Sequence, residues 1–326
     1  MISKKISIIG MGYIGLPTAA MFASKGKEVI GIDINKETVE LINKGRIHIV
    51  EPDLATAVKD AVSNGLLVAS VEYLPADVFI IAVPTPFKND INDEIPKPNL
   101  SFIKSAAKGL SKVLKKGDLV ILESTSPVGT TEKLSIWLSD QCPQFSFPHQ
   151  DNKNPDISIA YCPERVLPGN ILKELVTNDR IIGGMTVICS SKAKNIYNLF
   201  VEGECHITDS RTAELTKLTE NSSRDVQIAF ANELSIICNE LEINVWDLIS
   251  LANKHPRVNI LKPGPGVGGH CIAVDPWFIV SSAPKSSQLI SCARRVNDMK
   301  PQFILNQIEI EINSFLKMNL DKQINE

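Results

Sequence analysis

Residues 10–15 of the chain read GMGYIG, a G-x-G-x-x-G pattern that decides the fold of the N-terminal part. An isoleucine-rich run over residues 5–9 precedes the pattern and predicts a short strand, and a helix is expected over residues 15–25. A second strand over residues 28–32 ends at Asp33. A strand, a glycine turn, a helix and a second strand that ends in an acid together predict a dinucleotide-binding unit.

Each glycine has a separate physical role in this unit. Gly10 permits the tight turn, Gly12 lets the backbone approach a pyrophosphate, and Gly15 lets the helix pack closely on the strand. The helix N-terminus then offers N–H groups and a partial positive charge to the phosphates. A carboxylate at Asp33 accepts hydrogen bonds from the adenosine ribose and repels a 2′-phosphate, which favours NAD over NADP. The residues expected to contact the cofactor here are Gly10, Gly12, Tyr13, Ile14, Gly15 and Asp33.

Further short apolar runs follow at helix-length spacing, at residues 78–83, 119–122, 157–161 and 180–182. This alternation predicts an α/β, doubly wound Rossmann domain over residues 1–207, with a mostly parallel sheet covered on both faces. Ligands bind outside the carboxyl ends of the strands in such sheets. Three runs end in segments that are either ordinary turns or parts of a site, namely VPTP at 83–86, ESTSP at 123–127 and CPER at 162–165.

The pattern changes to helices after the predicted sheet. Residues 211–241 form one long helical pattern without Gly or Pro, and a loop rich in Gly and Pro follows over residues 255–276. Residues 288–317 read as a helix that contains Pro301. We therefore predict an all-helical domain over residues 208–326.

The composition excludes several classes of protein. A chain of 326 residues with 44% hydrophobic and 22% charged residues is typical of an ordinary globular protein of two domains. Its net charge of -3 gives no sign of nucleic-acid binding. Seven cysteines, an odd number without a C-x-x-C pair, argue against a disulfide framework or a zinc site and fit a reducing cytoplasm. The sequence contains no uninterrupted run of about 18 apolar residues, so no membrane span is predicted.

A glycine-dense loop at residues 263–276, PGPGVGGHCIAVDP, is the second candidate site. Glycines this dense do not build a core, but they let a loop wrap closely around a ligand. Cys271 lies at the end of the glycines, with His270 beside it and Asp275 four residues on. A cysteine taken alone is more often a small buried hydrophobe, which is our expectation for the other six.

One face of the long helix carries four polar residues. Glu214, Lys217, Asn221 and Arg224 are spaced at i, i+3, i+7 and i+10 and so share that face. A solvated charged face is the alternative interpretation.

Together these motifs resemble the UDP-sugar 6-dehydrogenases of the UDP-glucose/GDP-mannose dehydrogenase family, over the whole chain. The segments IHIVEPDL at 47–54, PTPFK at 84–88 and CIAVDPW at 271–277 are most similar to the branch that acts on UDP-N-acetyl-D-mannosamine. The resemblance implies an NAD-dependent oxidation of that sugar to UDP-N-acetyl-D-mannosaminuronate, for surface polysaccharide precursors.

The resemblance also implies roles for single residues. Cys271 matches the family's nucleophile, Lys217 and Asn221 match the pair that supports the oxyanion, and Glu164 matches the carboxylate linked to thioester hydrolysis. Asp275 and Thr125 match residues that hold the catalytic water and the lysine. Three matches to the cofactor site are Pro84, Thr85 and Thr125. The matches to the UDP-sugar site are Arg165, Val166, Lys217, Asn221, Arg224, His255, Arg257 and Gly268. Because the family supplies the arginine at position 257 to a neighbouring subunit, a homodimer is expected.

The chemistry explains why these residue types are needed. Oxidation of an alcohol to an acid takes two hydride transfers, and a free aldehyde between them would be reactive. A thiolate at Cys271 captures the aldehyde as a thiohemiacetal, whose oxidation gives a thioester. Lys217 and Asn221 can stabilise the oxyanion, and water activated near Glu164 releases the acid. The lysine also favours the thiolate through its charge.

The chain departs from UDP-glucose dehydrogenases at two positions. They usually carry a lysine where Val274 stands and a second glutamate where Pro168 stands. Both departures favour an N-acetylhexosamine, but neither shows which epimer. Dehydrogenases for UDP-glucose or UDP-N-acetylglucosamine therefore stay open as alternatives. A 3-hydroxyacid dehydrogenase shares the Rossmann domain and long helix, but it needs no cysteine loop.

The length of the chain suggests a further expectation. The family has a third, C-terminal domain that covers the UDP group, and we expect this chain to be truncated before it. By itself the chain would then be a folded, NAD-binding dimer with little or no activity.

Overall fold

The computed structural model describes residues 5–88, 95–269 and 271–319. The strands of this part are β1 (Ile6–Ile9), β2 (Val29–Ile32), β3 (Leu67–Ser70), β4 (Val78–Ile81), β5 (Leu119–Leu122), β6 (Ser158–Tyr161), β7 (Arg180–Gly184) and β8 (Cys205–Asp209). The helices are α1 (Gly15–Ser24), α2 (Lys36–Asn43), α3 (Leu54–Ser63), α4 (Ser101–Leu110), α5 (Thr130–Gln141), α6 (Ile171–Thr177), α7 (Val187–Tyr197), α8 (Ser210–Glu240), α9 (Val245–Ala252), α10 (Asp275–Ser282) and α11 (Gln288–Met318).

The strands form one sheet in the order β3-β2-β1-β4-β5-β6-β7-β8. Neighbouring strands are parallel, except that β6 and β7 are antiparallel. The chain order reverses between β1 and β4, which is the switch point where doubly wound sheets bind ligands. The predicted α/β, mostly parallel sheet is confirmed.

Side chains of the central strands alternate between two hydrophobic layers. Val78 and Ile80 of β4 belong to the layer that also holds Leu16 and Phe22 of α1. Phe79 belongs to the opposite layer, with residues of α4 and α5. All are fully buried, and burying each such side chain stabilises the fold by about 1.5–3 kcal/mol. This two-sided burial explains why the strands read as continuous apolar runs.

Two edge strands were missed by the sequence patterns. β3 is only four residues long and half-exposed, and its sequence LVAS has little β-branched character. β8 reads CHITD and is mostly exposed. Edge strands bury little surface, so their sequences carry a weak apolar signal.

The described residues fall into two compact units that divide within α8, after Lys217. The second unit consists of helices and loops in its described part, and α11 runs through Pro301 without a break, as predicted. The domain boundary drawn at residue 207 stays a prediction. None of the described helices has the length and apolar character needed to cross a bilayer.

Candidate active site

The glycine turn after β1 has the geometry that its sequence predicts. Gly10 has a φ of +95°, and a Cβ there would lie 2.6 Å from the carbonyl oxygen of Ala82. A Cβ on Gly15 would lie 1.8 Å from the carbonyl oxygen of Gly10. Gly12 differs, because a Cβ there would meet no atom of the described residues within 4 Å, apart from its two chain neighbours. The fold therefore requires glycine at positions 10 and 15, whereas position 12 leaves open space for a ligand.

Asp33 ties the end of β2 to this turn. Its Oδ2 accepts a hydrogen bond of 2.9 Å from the backbone N–H of Met11, and its Oδ1 accepts one of 2.9 Å from the N–H of Asn35. An ionised carboxylate has about four acceptor positions, so Asp33 can also accept from a ribose hydroxyl. Asp33 therefore shapes the turn in addition to its predicted role toward the cofactor.

The N-terminus of α1 completes a site that fits NAD. The helix begins without a side-chain cap and without an acidic residue in its first turn. No side chain therefore offsets its partial positive charge, which is available to a phosphate, although the N–H of Leu16 donates to the carbonyl oxygen of Gly12 over 3.1 Å and Pro17 has no N–H. With the open space at Gly12 and the carboxylate of Asp33, these groups match the pyrophosphate and ribose of a dinucleotide.

We expect Gly12→Ala to weaken NAD binding by about tenfold or more while the melting temperature stays near that of the wild type. Apart from its chain neighbours, the added methyl group meets no atom in the described part of the chain, but it occupies space that a bound pyrophosphate needs. Calorimetric titration with NAD and thermal unfolding check both parts. Gly15→Ala is the contrasting variant, since its Cβ collides with backbone and should lower the melting temperature. Unchanged NAD affinity in Gly12→Ala would contradict the assignment of the turn.

The carboxylate at the end of β2 also predicts the choice of cofactor. We expect NAD to bind at least tenfold more tightly than NADP, because Asp33 would repel a 2′-phosphate. Parallel calorimetric titrations with the two cofactors measure the ratio. Equal or tighter NADP binding would show that Asp33 does not read the ribose.

The carboxyl ends of β4 and β5 lie side by side. The hydroxyl of Thr85 donates a hydrogen bond of 2.6 Å to the carbonyl oxygen of Thr125, and the hydroxyl of Ser124 donates one of 2.7 Å to the carbonyl oxygen of Val83. The structure thus brings together two predicted cofactor residues, with Pro84 in the same connection. Their contacts with NAD stay predictions.

Glu164 lies in a buried charged cluster that the sequence did not reveal. One nitrogen of Arg180, Nη2, donates to Glu164 Oε2 and, over 2.9 Å, to Glu123 Oε1. The Arg180 guanidinium stacks on the ring of Tyr197, with 4.0 Å between its central carbon and the ring centroid. The Tyr197 hydroxyl donates to the same oxygen of Glu123 over 3.1 Å. The sequence feature that could have indicated this cluster is a charged residue at the end of each of two apolar strands, namely Glu123 after β5 and Arg180 at the start of β7.

The segment that follows Glu164 is anchored by the protein core. Arg165 donates through Nη1 to the carbonyl oxygen of Asp179 over 3.3 Å, and Val166 packs against the hydrophobic core. Buried Glu51 accepts hydrogen bonds from the N–H groups of Gly169, at 2.8 Å, and Ile171, at 2.7 Å. Glu51 belongs to the segment 47–54, which carries part of the family resemblance. This segment therefore fixes the loop that follows Arg165 and Val166, two of the predicted substrate residues.

Glu214 has a structural role instead of a place on the polar face of α8. Its side chain is fully buried and accepts hydrogen bonds from the N–H groups of Gly129, at 2.6 Å, and Thr131, at 2.7 Å. It also accepts a bond of 2.6 Å from the Thr131 hydroxyl. A carboxylate at the N-terminus of α5 satisfies helix N–H groups that have no partner within the helix. Burial raises the pKa of this carboxyl group.

Asn221 and Asp275 are directly bonded, as a shared site requires. The side-chain amide of Asn221 donates to Asp275 Oδ2 over 2.5 Å. Asp275 is buried at the start of α10, and its N–H donates to the carbonyl oxygen of Cys271 over 2.9 Å. Cys271 itself is exposed. A turn of the chain therefore joins Cys271, the candidate nucleophile, to the carboxylate of Asp275, which Asn221 holds in place. Lys217 lies one helical turn before Asn221 on α8.

Hydrogen bonds from two long helices anchor the start of the glycine-dense loop at residues 263–276, here called the cysteine loop because it contains Cys271. Asn297 of α11 accepts a bond of 2.8 Å from Asn232 of α8, whose own side-chain oxygen accepts from the N–H of Gly264 over 2.9 Å. Asn297 also donates to Asp225 Oδ1 over 2.8 Å. A Cβ on Gly266 would lie 2.9 Å from Pro301, so this glycine permits close packing of the loop on α11.

An ion pair stabilises the same helices from within. Arg294 of α11 and Asp225 of α8 are both fully buried, and Nη1 of Arg294 lies 2.5 Å from Asp225 Oδ1. A second nitrogen, Nη2, donates to Asp298 over 2.5 Å. Removing one partner of such a pair leaves a buried charge without compensation.

The other predicted substrate residues of the second unit lie on its surface. Arg224, His255, Arg257 and Gly268 are exposed, and the N–H of Arg257 approaches Nδ1 of His255 at 3.4 Å. His270 lies outside the described residues. Five of the other six cysteines are buried, as expected, whereas Cys292 is exposed. Across residues 5–88, 95–269 and 271–319, no group of three or more His, Cys, Asp or Glu residues could hold a metal ion.

Two family models match the chain along its length. The model for the UDP-glucose/GDP-mannose dehydrogenase family, NAD binding domain, matches residues 4–201, and the model for the central domain of the same family matches residues 211–299. The chain belongs to the UDP-glucose/GDP-mannose dehydrogenase family. The predicted NAD-dependent dehydrogenase is thereby confirmed, because the family's NAD-binding domain is the part that carries the glycine turn.

Relatives within this family have different named substrates. The chain is 62% identical to an NDP-N-acetyl-D-galactosaminuronic acid dehydrogenase of Ralstonia nicotianae. The matched region spans 94% of this chain and 71% of that protein. It is 59% identical to the UDP-N-acetyl-D-mannosamine dehydrogenase of Escherichia coli K12, over 98% of this chain and 75% of that protein. The solved UDP-N-acetyl-mannosamine dehydrogenase Cap5O of Staphylococcus aureus is 45% identical, with a TM-score of 0.85 over 95% of this chain and 72% of that chain.

Proposed function

We propose that this dehydrogenase oxidises the primary alcohol of UDP-N-acetyl-D-mannosamine to the carboxylate of UDP-N-acetyl-D-mannosaminuronate, in the synthesis of surface polysaccharide precursors. The observation that carries the proposal is the exposed Cys271, joined through its carbonyl oxygen to an Asp275 that Asn221 holds. An oxidation that stops at an aldehyde needs no nucleophile, whereas one that proceeds to an acid does. The E. coli K12 relative supports the choice of sugar.

The residues of the chain have the following roles in this proposal. NAD, when bound, accepts a hydride in each of the two oxidations. The thiolate of Cys271 adds to the carbonyl carbon of the intermediate aldehyde, and Lys217 and Asn221 stabilise the negative charge on its oxygen. After the second oxidation, Glu164 takes a proton from water, which adds to the thioester and displaces the thiolate. Removing one such oxyanion donor typically costs about 2.7–4 kcal/mol of transition-state stabilisation.

A second candidate substrate is a nucleotide-linked N-acetyl-D-galactosamine. The 62% identity to the Ralstonia nicotianae dehydrogenase favours this candidate. The two sugars share the 2-acetamido group and the C6 alcohol, and they differ in the configuration at C2 and C4. The departures at Val274 and Pro168 fit either sugar, because both lack the free 2-hydroxyl of glucose.

A panel of UDP-sugars tests the proposed substrate. We expect protein expressed from the complete reading frame to give the highest kcat/KM with UDP-N-acetyl-D-mannosamine. UDP-glucose should be at least tenfold poorer, because a site built for polar groups of one sugar leaves them unpaired with another. UDP-N-acetyl-D-galactosamine and UDP-N-acetyl-D-glucosamine complete the panel. A preference for UDP-glucose would overturn the proposal, and a preference for the galactosamine sugar would replace the first candidate with the second.

The proposal includes a homodimer in the cytoplasm. Several large apolar side chains of the second unit are 43–60% exposed, namely Phe230, Ile237, Leu241 and Trp246. Exposed apolar side chains can bury their surface against a second copy, and Arg257 is proposed to reach the site of that copy. A reducing compartment such as the cytoplasm would keep an exposed nucleophilic cysteine in its active thiol form. Light scattering should give twice the mass of one chain, and the mass of a single chain would contradict the dimer.

A further inference from the structure

The cluster around Arg180 places two carboxylates on one cation. The side chain of Arg180 is 4% exposed, that of Glu123 is fully buried and that of Glu164 is 8% exposed. If both acids were ionised, the cluster would keep one buried negative charge without a partner. Burying an uncompensated charge is costly, and one proton on the cluster removes it.

The hydrogen bonds distinguish the two carboxyl groups. Both oxygens of Glu164 receive a donor, since Oε2 accepts from Arg180 and Oε1 accepts from the N–H of Arg165 over 2.7 Å. Glu123 receives both its donors on Oε1, from Arg180 and Tyr197. Its Oε2 is buried and has no hydrogen-bond partner among the described residues. Donors on both oxygens favour an ionised Glu164, whereas the unpartnered oxygen of Glu123 favours protonation.

The surroundings of Glu123 agree with this distinction. The groups that face it are Arg180 of β7, Glu164 after β6, Tyr197 of α7 and the thiol of Cys162. The pKa of Glu123 is raised to about 7, because burial and the negative charge of Glu164 raise it by more than the positive charge of Arg180 and the hydrogen bonds from Tyr197 and Arg180 lower it. Burial also raises the pKa of the Cys162 thiol, so that group stays neutral near pH 7.

We propose that Glu123 carries the proton of this cluster near neutral pH, and that Arg180 is thereby left to hold Glu164 as an ionised carboxylate. Glu123 and Arg180 are then positioning residues for Glu164. This inference rests on the proposed function, where Glu164 takes a proton from water, because a protonated Glu164 could not do so.

Carbon-13 NMR of protein labelled at the glutamate carboxyl carbons tests the proposal without any turnover. We expect one glutamate to titrate near pH 7 in the wild type. Glu123→Gln should remove that titration, and Glu164→Gln should keep it at a lower midpoint, because the repelling negative charge is gone. Tyr197→Phe should raise the midpoint, because it removes a donor to Glu123. The last two variants keep the test decisive if Glu123→Gln does not fold.

Thermal unfolding between pH 5 and 8 gives a second readout. The folded-state pKa of Glu123 lies above its usual value, so its contribution to stability is present at low pH and is lost as the pH rises through about 7. The melting temperature should therefore fall over this range in the wild type and fall less in Glu123→Gln.

Two results would overturn the proposal: no glutamate that titrates above about pH 6, or a titration that Glu164→Gln removes and Glu123→Gln keeps. The proposed function fails separately. Full production of the carboxylate by Glu164→Gln, with the expected titration of Glu123 intact, would remove Glu164 from the mechanism but leave the protonation of Glu123 in place.

Discussion

Cys271→Ser is expected to lower the rate of carboxylate formation by on the order of a thousandfold or more. A serine hydroxyl is a weaker nucleophile toward the aldehyde, and an ester in place of the thioester hydrolyses far less readily. The rest of the site should stay intact, because the contact to Asp275 uses the backbone carbonyl oxygen of residue 271. Rapid-quench analysis of the products separates aldehyde from acid.

Cys292→Ser is the matched control for this variant. Cys292 is also exposed, but it lies on α11 and outside the glycine-dense loop. It should keep the wild-type rate. An unchanged yield of the acid from Cys271→Ser would show that the cysteine is structural, and equal losses in both variants would point to general damage by the substitutions.

Arg294→Ala should lower the free energy of unfolding by about 3–5 kcal/mol, which is the usual cost of leaving one partner of a buried ion pair alone. Asp225 would stay fully buried with its charge uncompensated. The same carboxylate accepts from Asn297, which joins α8 and α11 at the start of the cysteine loop. Urea denaturation of the wild type and the variant gives the difference directly.

The neighbouring Arg295→Ala is the control, because Arg295 is exposed on the same helix. Surface substitutions of this kind usually change stability by less than about 0.5 kcal/mol. A loss below about 1 kcal/mol for Arg294→Ala would mean that the pair is replaced by water or by an alternative partner.

The glycine turn and the sheet were predictable because local sterics decide them. Gly10 and Gly15 have no room for a Cβ, so the geometry of the turn requires glycine at these positions and can be inferred from the sequence. Strands buried on both faces leave continuous apolar runs, and the carboxyl ends of parallel strands meet at one edge of the sheet. That rule pointed to the connections after β4 and β5, where Thr85 and Thr125 are hydrogen-bonded.

The charged cluster was not predictable, because its members are distant in sequence. Glu123 and Arg180 are 57 residues apart, and they meet only because β7 runs antiparallel to β6. β6 and β7 are connected through α6, and no local sequence pattern indicates that this connection makes the two strands antiparallel. Glu214 was missed for the same reason. Its partners on α5 lie more than 80 residues earlier, so its helix position suggested a polar face and not a buried cap.

The number of NADH molecules formed per molecule of UDP-N-acetyl-D-mannosamine consumed tests the central claim most directly. The claim is a four-electron oxidation to the acid at Cys271 by an NAD-dependent member of this family. With protein from the complete reading frame, the account predicts two NADH for each sugar acid, with no free aldehyde accumulating. One NADH per sugar, with the aldehyde as the released product, would contradict it.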